Sequence, residues 1–173
     1  RFVFRHVDRV MCVSPASVQA AIRERVAPEK IVEVRTGLHI DAVRRRLVDT
    51  VEPMPPDGEI PLIVGCGPVS RHKGFDRTVL AMAELKKRGR AVALTVVGPP
   101  GDNVDEVTQL VRSHDLADRV TFVSGIDAVP LMARADVFVH AARYESVGLA
   151  LLEALCLGTP VIASRVAGIP DAL

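Results

Sequence analysis

From Pro61 onward the chain alternates apolar runs of strand length with stretches of helical spacing. The runs are "PLIVGCG", "VALTVVG", "RVTFVSG", "DVFVHAA" and "TPVIAS". Between them lie "DRTVLAMAELKKRG", "VDEVTQLVRSHDL", "VPLMARA" and "VGLALLEALCLG". The first of these helices closes on basic residues and Gly89, the usual chemistry of a helix C-terminus. Strands that are apolar throughout, without alternation, are buried on both faces. Five such strands interleaved with four helices predict an α/β fold, a parallel sheet with helices on both faces.

The pattern before Pro61 is looser. "VDRVMCVSP" reads as a short strand ending at Ser14. Ser14 followed by Pro15 is a helix start, a capping hydroxyl and then a residue that needs no N–H partner. That helix is expected to run to about Val26 and to stop before Pro28. "KIVEVRTG" alternates as a strand and ends at Gly37. From Val48 to Pro61, "VDTVEPMPPDGEIP" carries four prolines, a glycine and acidic residues, the composition of a linker. The expected organisation is therefore residues 1–50 as the end of one domain, 51–60 as a linker, and 61–173 as a second domain. The chain opens on Arg1 and stops just after an apparent strand and loop, so a fragment of a longer protein is expected.

Composition narrows the function. Of 173 residues 49% are hydrophobic and 25% charged, with a formal net charge of +1. That balance gives no footprint for a polyanion, so no nucleic-acid partner is expected. Aromatics at 3% argue against base-stacking platforms. No apolar run reaches the length of a membrane span, and no signal-peptide pattern opens the chain. Cys12, Cys66 and Cys156 fit neither a disulfide framework nor a zinc knuckle, which points to reduced thiols in a cytoplasmic protein.

In open parallel sheets ligands sit outside the carboxyl ends of the strands. The chemistry is therefore expected in four loops, Gly65 to Lys73, Gly98 to Val104, Gly125 to Ala128, and Ala141 to Gly148. The last leads into a helix through Gly148. First-turn amides have no internal partners and favour an anion, and a glycine lets a ligand come close, so a phosphate fits. Glu145 and Glu153 are eight residues apart. On one helix they would lie roughly 80° apart around the axis and roughly 12 Å along it, too far to share a proton. They could reach two parts of one elongated ligand. Glu153 is the lone charge in an apolar helix expected to be buried on most sides, and a buried carboxylate needs donors. A sugar diol supplies two side by side. Pairing with a nearby arginine, or access to solvent along a narrow face, serves as well, and sequence leaves these open. The loop after the first strand joins Gly65, Gly67 and Gly74 to Arg71, His72 and Lys73, a set that suits a diphosphate. A solvated basic loop is the plainer alternative.

Other chemistries find little support. Gly65-x-Gly67-x-x-Ser70 lacks the third glycine of a dinucleotide fingerprint, and no acidic residue ends the second strand. His6, His39, His72, His114 and His140 have no metal-ligand spacing. His140 ends a strand, where core or edge packing is expected. No Gly-x-Ser-x-Gly elbow is present.

"RYESVGLALLEALCLGTPVIASRVAGIP" resembles the Glu-x7-Glu segment of the retaining GT-B glycosyltransferases, the large group 4 family that includes sucrose and glycogen synthases. Tyr144-Glu145-Ser146, Gly148-Leu149, Glu153-Ala154, Gly158-Thr159-Pro160-Val161 and Gly168 all stand where that family has them. "KGFD", "VGPPGDN", "VTFVSG" and "LMARADVFVHAA" follow its order and spacing. "VDRVMCVSPASVQAAI" and "EKIVEVRTGLHID" resemble the last units of its N-terminal domain. The resemblance covers almost the whole chain.

It implies a Rossmann-like, truncated C-terminal domain that binds a nucleotide-diphosphate sugar, preceded by the tail of the acceptor-side domain. Glu153 would hold the ribose hydroxyls and Glu145 the transferred sugar. Val147, Gly148 and Leu149 would offer backbone amides to the donor. Lys73 would neutralise the leaving diphosphate, with Gly67 and Arg71 beside it in the donor loop. The loop from Val123 to Gly125 would lie near the nucleobase. Glu145 and Lys73 would be the catalytic pair for hexosyl transfer with retention of configuration. No cofactor or metal is implied beyond the nucleotide sugar as co-substrate. The acceptor, a carbohydrate, lipid or small molecule, would be met through the domain absent from this chain. Docking at a membrane, as several members of the family do, stays open. The family usually has an arginine five residues before the lysine of its Lys-Gly pair. Here that place is Pro68, and Arg71 is the nearby substitute. Two other classes fit less well, a nucleotide-binding module without catalysis and a nucleotide-sugar epimerase-like enzyme.

Overall fold

The computed structural model describes residues 6–48 and 60–173. The expected linker at 51–60 lies almost wholly outside the described residues.

The first unit is small. Strand β1 (Val10–Cys12) leads into helix α1 (Pro15–Arg23). Ser14 caps that helix reciprocally: the Ser17 amide donates to Ser14 Oγ at 3.2 Å, and the Ser14 amide donates to Ser17 Oγ at 2.9 Å. The helix ends earlier than expected. Arg25 takes a left-handed backbone (φ 60°), which turns the chain so that Val26 packs with Cys12 and Ala21 instead of extending the helix. Strand β2 (Ile31–Glu33) pairs parallel to β1, Val10 opposite Ile31. It is shorter than the alternating run to Gly37, because β1 offers only three residues to pair with. A short helix α2 (Ile40–Arg45), not expected from the sequence, and one 3-10 turn (Arg46–Val48) follow. His39 caps α2, its Nδ1 accepting from the Ala42 amide at 3.3 Å.

The second unit carries the expected sheet. Its strands are β3 (Leu62–Cys66), β4 (Ala93–Val97), β5 (Val120–Val123), β6 (Val137–His140) and β7 (Val161–Ala163). All pairs are parallel, in the spatial order β5-β4-β3-β6-β7. Helices α3 (Phe75–Lys87) and α4 (Val104–Ser113) cover one face, and α5 (Val129–Arg134) and α6 (Leu149–Cys156) the other. Phe75, Val79, Met82, Val107 and Val111 fill the first core against Leu94 and Val96. Leu131, Met132, Leu151 and Ala154 fill the second against Val64 and Phe138.

Two expectations about burial need correction. Every residue of β4 is buried, but the edge strands are not: Phe122 on β5 and Ile162 on β7 are exposed, each strand having a neighbour on one side only among the described residues. Helix α6 is not buried on most sides. Leu151 and Ala154 face the core, while Leu149 and Leu155 are exposed. An apolar helix of this length packs on one stripe, and the sheet covers only that stripe.

Strand order reverses direction between β3 and β6. That is the switch point at which an open parallel sheet leaves a crevice at its carboxyl edge.

Candidate functional site

The crevice is built from the loops that follow β3 and β6. The β3 loop leaves Cys66 through Gly67 (φ 132°) and closes in a 3-10 turn over Arg71–Lys73. The aliphatic stem of Lys73 lies over Gly67, where a Cβ would stand 2.9 Å from Lys73 Cε. Gly74 follows in a left-handed backbone (φ 73°) pressed onto the β6 loop, where a Cβ would stand 2.0 Å from the Ala141 carbonyl oxygen. The β6 loop answers with its own brace. Arg143 grips Asp76 with two bonds, at 2.8 and 2.5 Å, and its amide donates to His72 O at 2.7 Å. The loop is held from below as well, since the Gly168 amide donates to Glu145 O at 2.9 Å.

This bracing brings Lys73 and Glu145 together, with Nζ 2.5 Å from Oε2. Both side chains are largely buried. His140, at the end of β6, stacks on Phe138 and is buried, and its Nε2 lies 3.4 Å from the same carboxylate oxygen. At that separation no aligned hydrogen bond forms, and among the described residues the buried Nε2 has no hydrogen-bond partner. The ring packs in the core as expected, with Nε2 turned toward the Glu145 carboxylate. His140 and then Lys73 hold the Glu145 carboxyl down to about 2, against burial, which pushes it up.

Gly148, also left-handed (φ 80°), sits beside this pair and starts α6. A Cβ there would meet Leu151 Cβ at 3.3 Å, Glu145 Cγ at 3.4 Å and His140 Nε2 at 3.6 Å. No side chain caps the helix, so its first-turn amides stay open toward the crevice. Val147, just before it, lines a groove with Val13, Ser14, Thr36, Leu152 and Gly168, where the two units meet.

Glu153, one turn along α6, sits in a different setting. Its Oε1 accepts from Arg46 Nη1 at 2.5 Å. The same guanidinium holds Asp127 through Nε and Nη2, both at 2.6 Å. Arg46 comes from before the linker, and Asp127 from the loop between β5 and α5. The pairing pushes the arginine further up its range and the Asp127 carboxyl down, mainly through the bonds they share. The Cys66 thiol stands in the same field. Burial, helped by the Glu153 charge, raises it to about 11, so it stays protonated and unreactive at neutral pH.

Of the expected donor-site residues, Gly67, Lys73, Glu145 and Gly148 converge at one place, with Val147 and Leu149 flanking. Glu153 lies further along the crevice. Arg71 does not join them. Its guanidinium turns outward to Glu106 at 3.0 Å and is largely exposed. Sequence reasoning missed Arg46, Asp127 and the Asp76–Arg143 brace. Asp127 had one signal, its place in the Gly125 to Ala128 loop at a strand's carboxyl end. Arg46 had none, being one of three consecutive arginines.

Among the described residues no helix is long and apolar enough to cross a membrane. The family model described as "Glycosyl transferases group 1" matches residues 52–173. The chain is 33% identical over 160 residues to D-inositol 3-phosphate glycosyltransferase 2 of Catenulispora acidiphila, covering 84% of this chain and 37% of that protein. It is 30% identical over 173 residues to the lipopolysaccharide core biosynthesis glycosyltransferase LpsE of Rhizobium meliloti, covering 95% and 46%. The chain thus spans less than half the length of these two relatives. In structure it superposes on Anabaena Alr3699/HepE, solved in complex with UDP and glucose, with a TM-score of 0.78 at 23% identity, covering 98% of this chain and 47% of that one.

Proposed function

Because the chain belongs to the group 1 glycosyl transferases, we propose that it supplies the donor site of an enzyme that moves a hexosyl group from a nucleotide-diphosphate sugar to an acceptor, with retention of configuration. The observation that carries this is the convergence of Lys73, Glu145 and the open start of α6 at the switch point of the sheet. Residues 61–173 are the donor-binding domain, and residues 1–50 end the acceptor-side domain. The separate two-stranded sheet and small core of the first unit support that division.

In this proposal the diphosphate lies against the start of α6. Its amides and the Lys73 ammonium face the oxygens on which negative charge grows as the sugar departs. Preorganised donors of this kind stabilise the transition state more than the ground state. Glu145, ionised well below neutral pH, accepts from hydroxyls of the transferred sugar and keeps Lys73 aimed. Glu153 takes the ribose diol. Charge on the leaving group is met by protein groups, so the proposal includes no metal. The acceptor, a carbohydrate, lipid or small molecule, arrives from the groove side.

The test is calorimetric titration of UDP, GDP and ADP into this chain, beside Lys73→Ala and Glu153→Gln. One diphosphate is expected to bind, with Lys73→Ala weakening it roughly 10- to 100-fold, the worth of a charge-assisted phosphate contact. A folded chain whose binding is indifferent to Lys73→Ala has its phosphate site elsewhere. Retention is checked by the anomeric configuration of the product formed by the full-length enzyme, read by NMR.

A further inference from the structure

Arg46 stands between two elements that the donor proposal assigns to the nucleoside. One guanidinium bridges Asp127, in the β5–α5 loop, and Glu153, on α6. The donor proposal puts the ribose at Glu153 and the base near the β5 loop, so the bridge crosses the space between those two places. A diol that donates to both carboxylate oxygens needs Oε1 as well as Oε2, and Arg46 already holds Oε1.

The geometry points to Arg46 as a latch on the nucleoside subsite: it closes Glu153 in the empty protein and yields that carboxylate to the ribose when donor binds. This inference rests on the ribose assignment of Glu153. Three observations favour exchange over permanent pairing. Arg46 uses two bonds on Asp127 and one on Glu153, so it can release Glu153 while staying anchored. Its side chain is 40% exposed, so the freed Nη1 finds water. Glu153, at 16% exposure, cannot be left bare, and the incoming diol is what replaces the lost donor. Since Arg46 precedes the linker, the latch also ties nucleotide binding to the placement of the first unit. A ligand that lacks a ribose has nothing to exchange for it.

The test compares two classes of probe on the wild-type chain and on Arg46→Met. UDP, GDP and ADP carry a ribose, and inorganic pyrophosphate does not. Arg46→Met is expected to tighten the nucleoside diphosphate that binds by about tenfold, the size of a modest coupling between competing partners, while pyrophosphate changes less than about twofold. Binding that appears only in Arg46→Met gives the same support. Unchanged or weaker nucleotide binding in a folded Arg46→Met overturns the latch, as does the absence of binding in both proteins. Glu153→Gln separates the two levels. If it weakens the nucleoside diphosphate and spares pyrophosphate, the ribose assignment stands and a flat Arg46→Met result sinks the latch alone. If it moves neither probe, the ribose assignment falls and the latch falls with it.

Discussion

The two glutamates of α6 and its approach make nearly the same bond in opposite settings. Glu145 meets Lys73 at 2.5 Å, and Glu153 meets Arg46 at 2.5 Å. The first pair joins two loops of one sheet, is largely buried at both ends, and is braced by Gly74, where a Cβ would strike the Ala141 carbonyl. The second joins a helix to a residue from across the linker, and its cation is 40% exposed. Bond length alone therefore says little about what an ion pair does. Burial and bracing turn one into part of the frame. Exposure and a second carboxylate leave the other exchangeable.

The sharpest way to break this contrast is to attack the frame. Gly74→Ala asks a left-handed position to carry a Cβ 2.0 Å from the Ala141 carbonyl, which no rotation relieves. The left-handed backbone alone costs about 1–2 kcal/mol. Backbone displacement adds to it, so a total loss above about 3 kcal/mol is expected, read as a fall in the urea midpoint. Because the same contact aligns Lys73 with Glu145, nucleotide binding should fall with it. A loss below about 1 kcal/mol would mean that the two loops are not locked.

Next in size is the acid response of the frame. The Glu145 carboxyl is held down to about 2, below the usual carboxylate range, by His140 and Lys73. A group depressed in the folded state adds stability above its unfolded value near 4.5, and loses it as pH falls toward 2. A gap of that size corresponds to at most about 3 kcal/mol. Stability measured by urea at a series of pH values should therefore drop across that window. Asp76, lowered mainly by Arg143, and Asp127, lowered mainly by Arg46, add to the same drop. Glu145→Gln isolates the one contribution: its curve should be flatter than the wild type's between about pH 4.5 and 2. Identical slopes would show that His140 and Lys73 do not hold the Glu145 carboxyl down in the folded chain.

How much of this was legible follows from the range of each interaction. The sheet was written locally, in runs such as "VALTVVG", and its loops follow from the rule that parallel strands need helical crossovers. The Ser14–Pro15 start was legible for the same reason, since capping involves residues within three positions. Lys73 and Glu145 could each be picked out, because glycine-rich turns and helix starts have local signatures. Their pairing could not be, nor could the Asp76–Arg143 brace, because both need the β3 and β6 loops to be adjacent. Arg46 lies further still from any signal. It is 81 residues from Asp127 and 107 from Glu153 in sequence, and Arg44 and Arg45 look identical to it in pattern. The exposed Leu149 and Leu155 went unforeseen because hydrophobicity reports what a helix could bury, not how much surface its neighbours supply.

The smallest effect is the most telling. Arg46→Met removes three short bonds at once, and by bond count it should rival Gly74→Ala. The setting says otherwise. A cation 40% exposed gains little from its partners once solvent screening and side-chain entropy are counted, and Asp127, at 28% exposure, can turn toward water once released. Glu153, at 16% exposure, keeps the cost above zero. The expected loss is about 0.5–1 kcal/mol, against more than about 3 kcal/mol for the glycine. Raising the salt concentration should shrink the difference between Arg46→Met and wild type, since an exposed pair is screened, and should leave the Gly74→Ala deficit where it was, since sterics are not. If Arg46→Met instead unfolds the chain as readily as the glycine substitution does, both ion pairs belong to the frame. Glu153 would then be a structural carboxylate with its donor permanently supplied, and the ribose would have to find its partner elsewhere in the crevice.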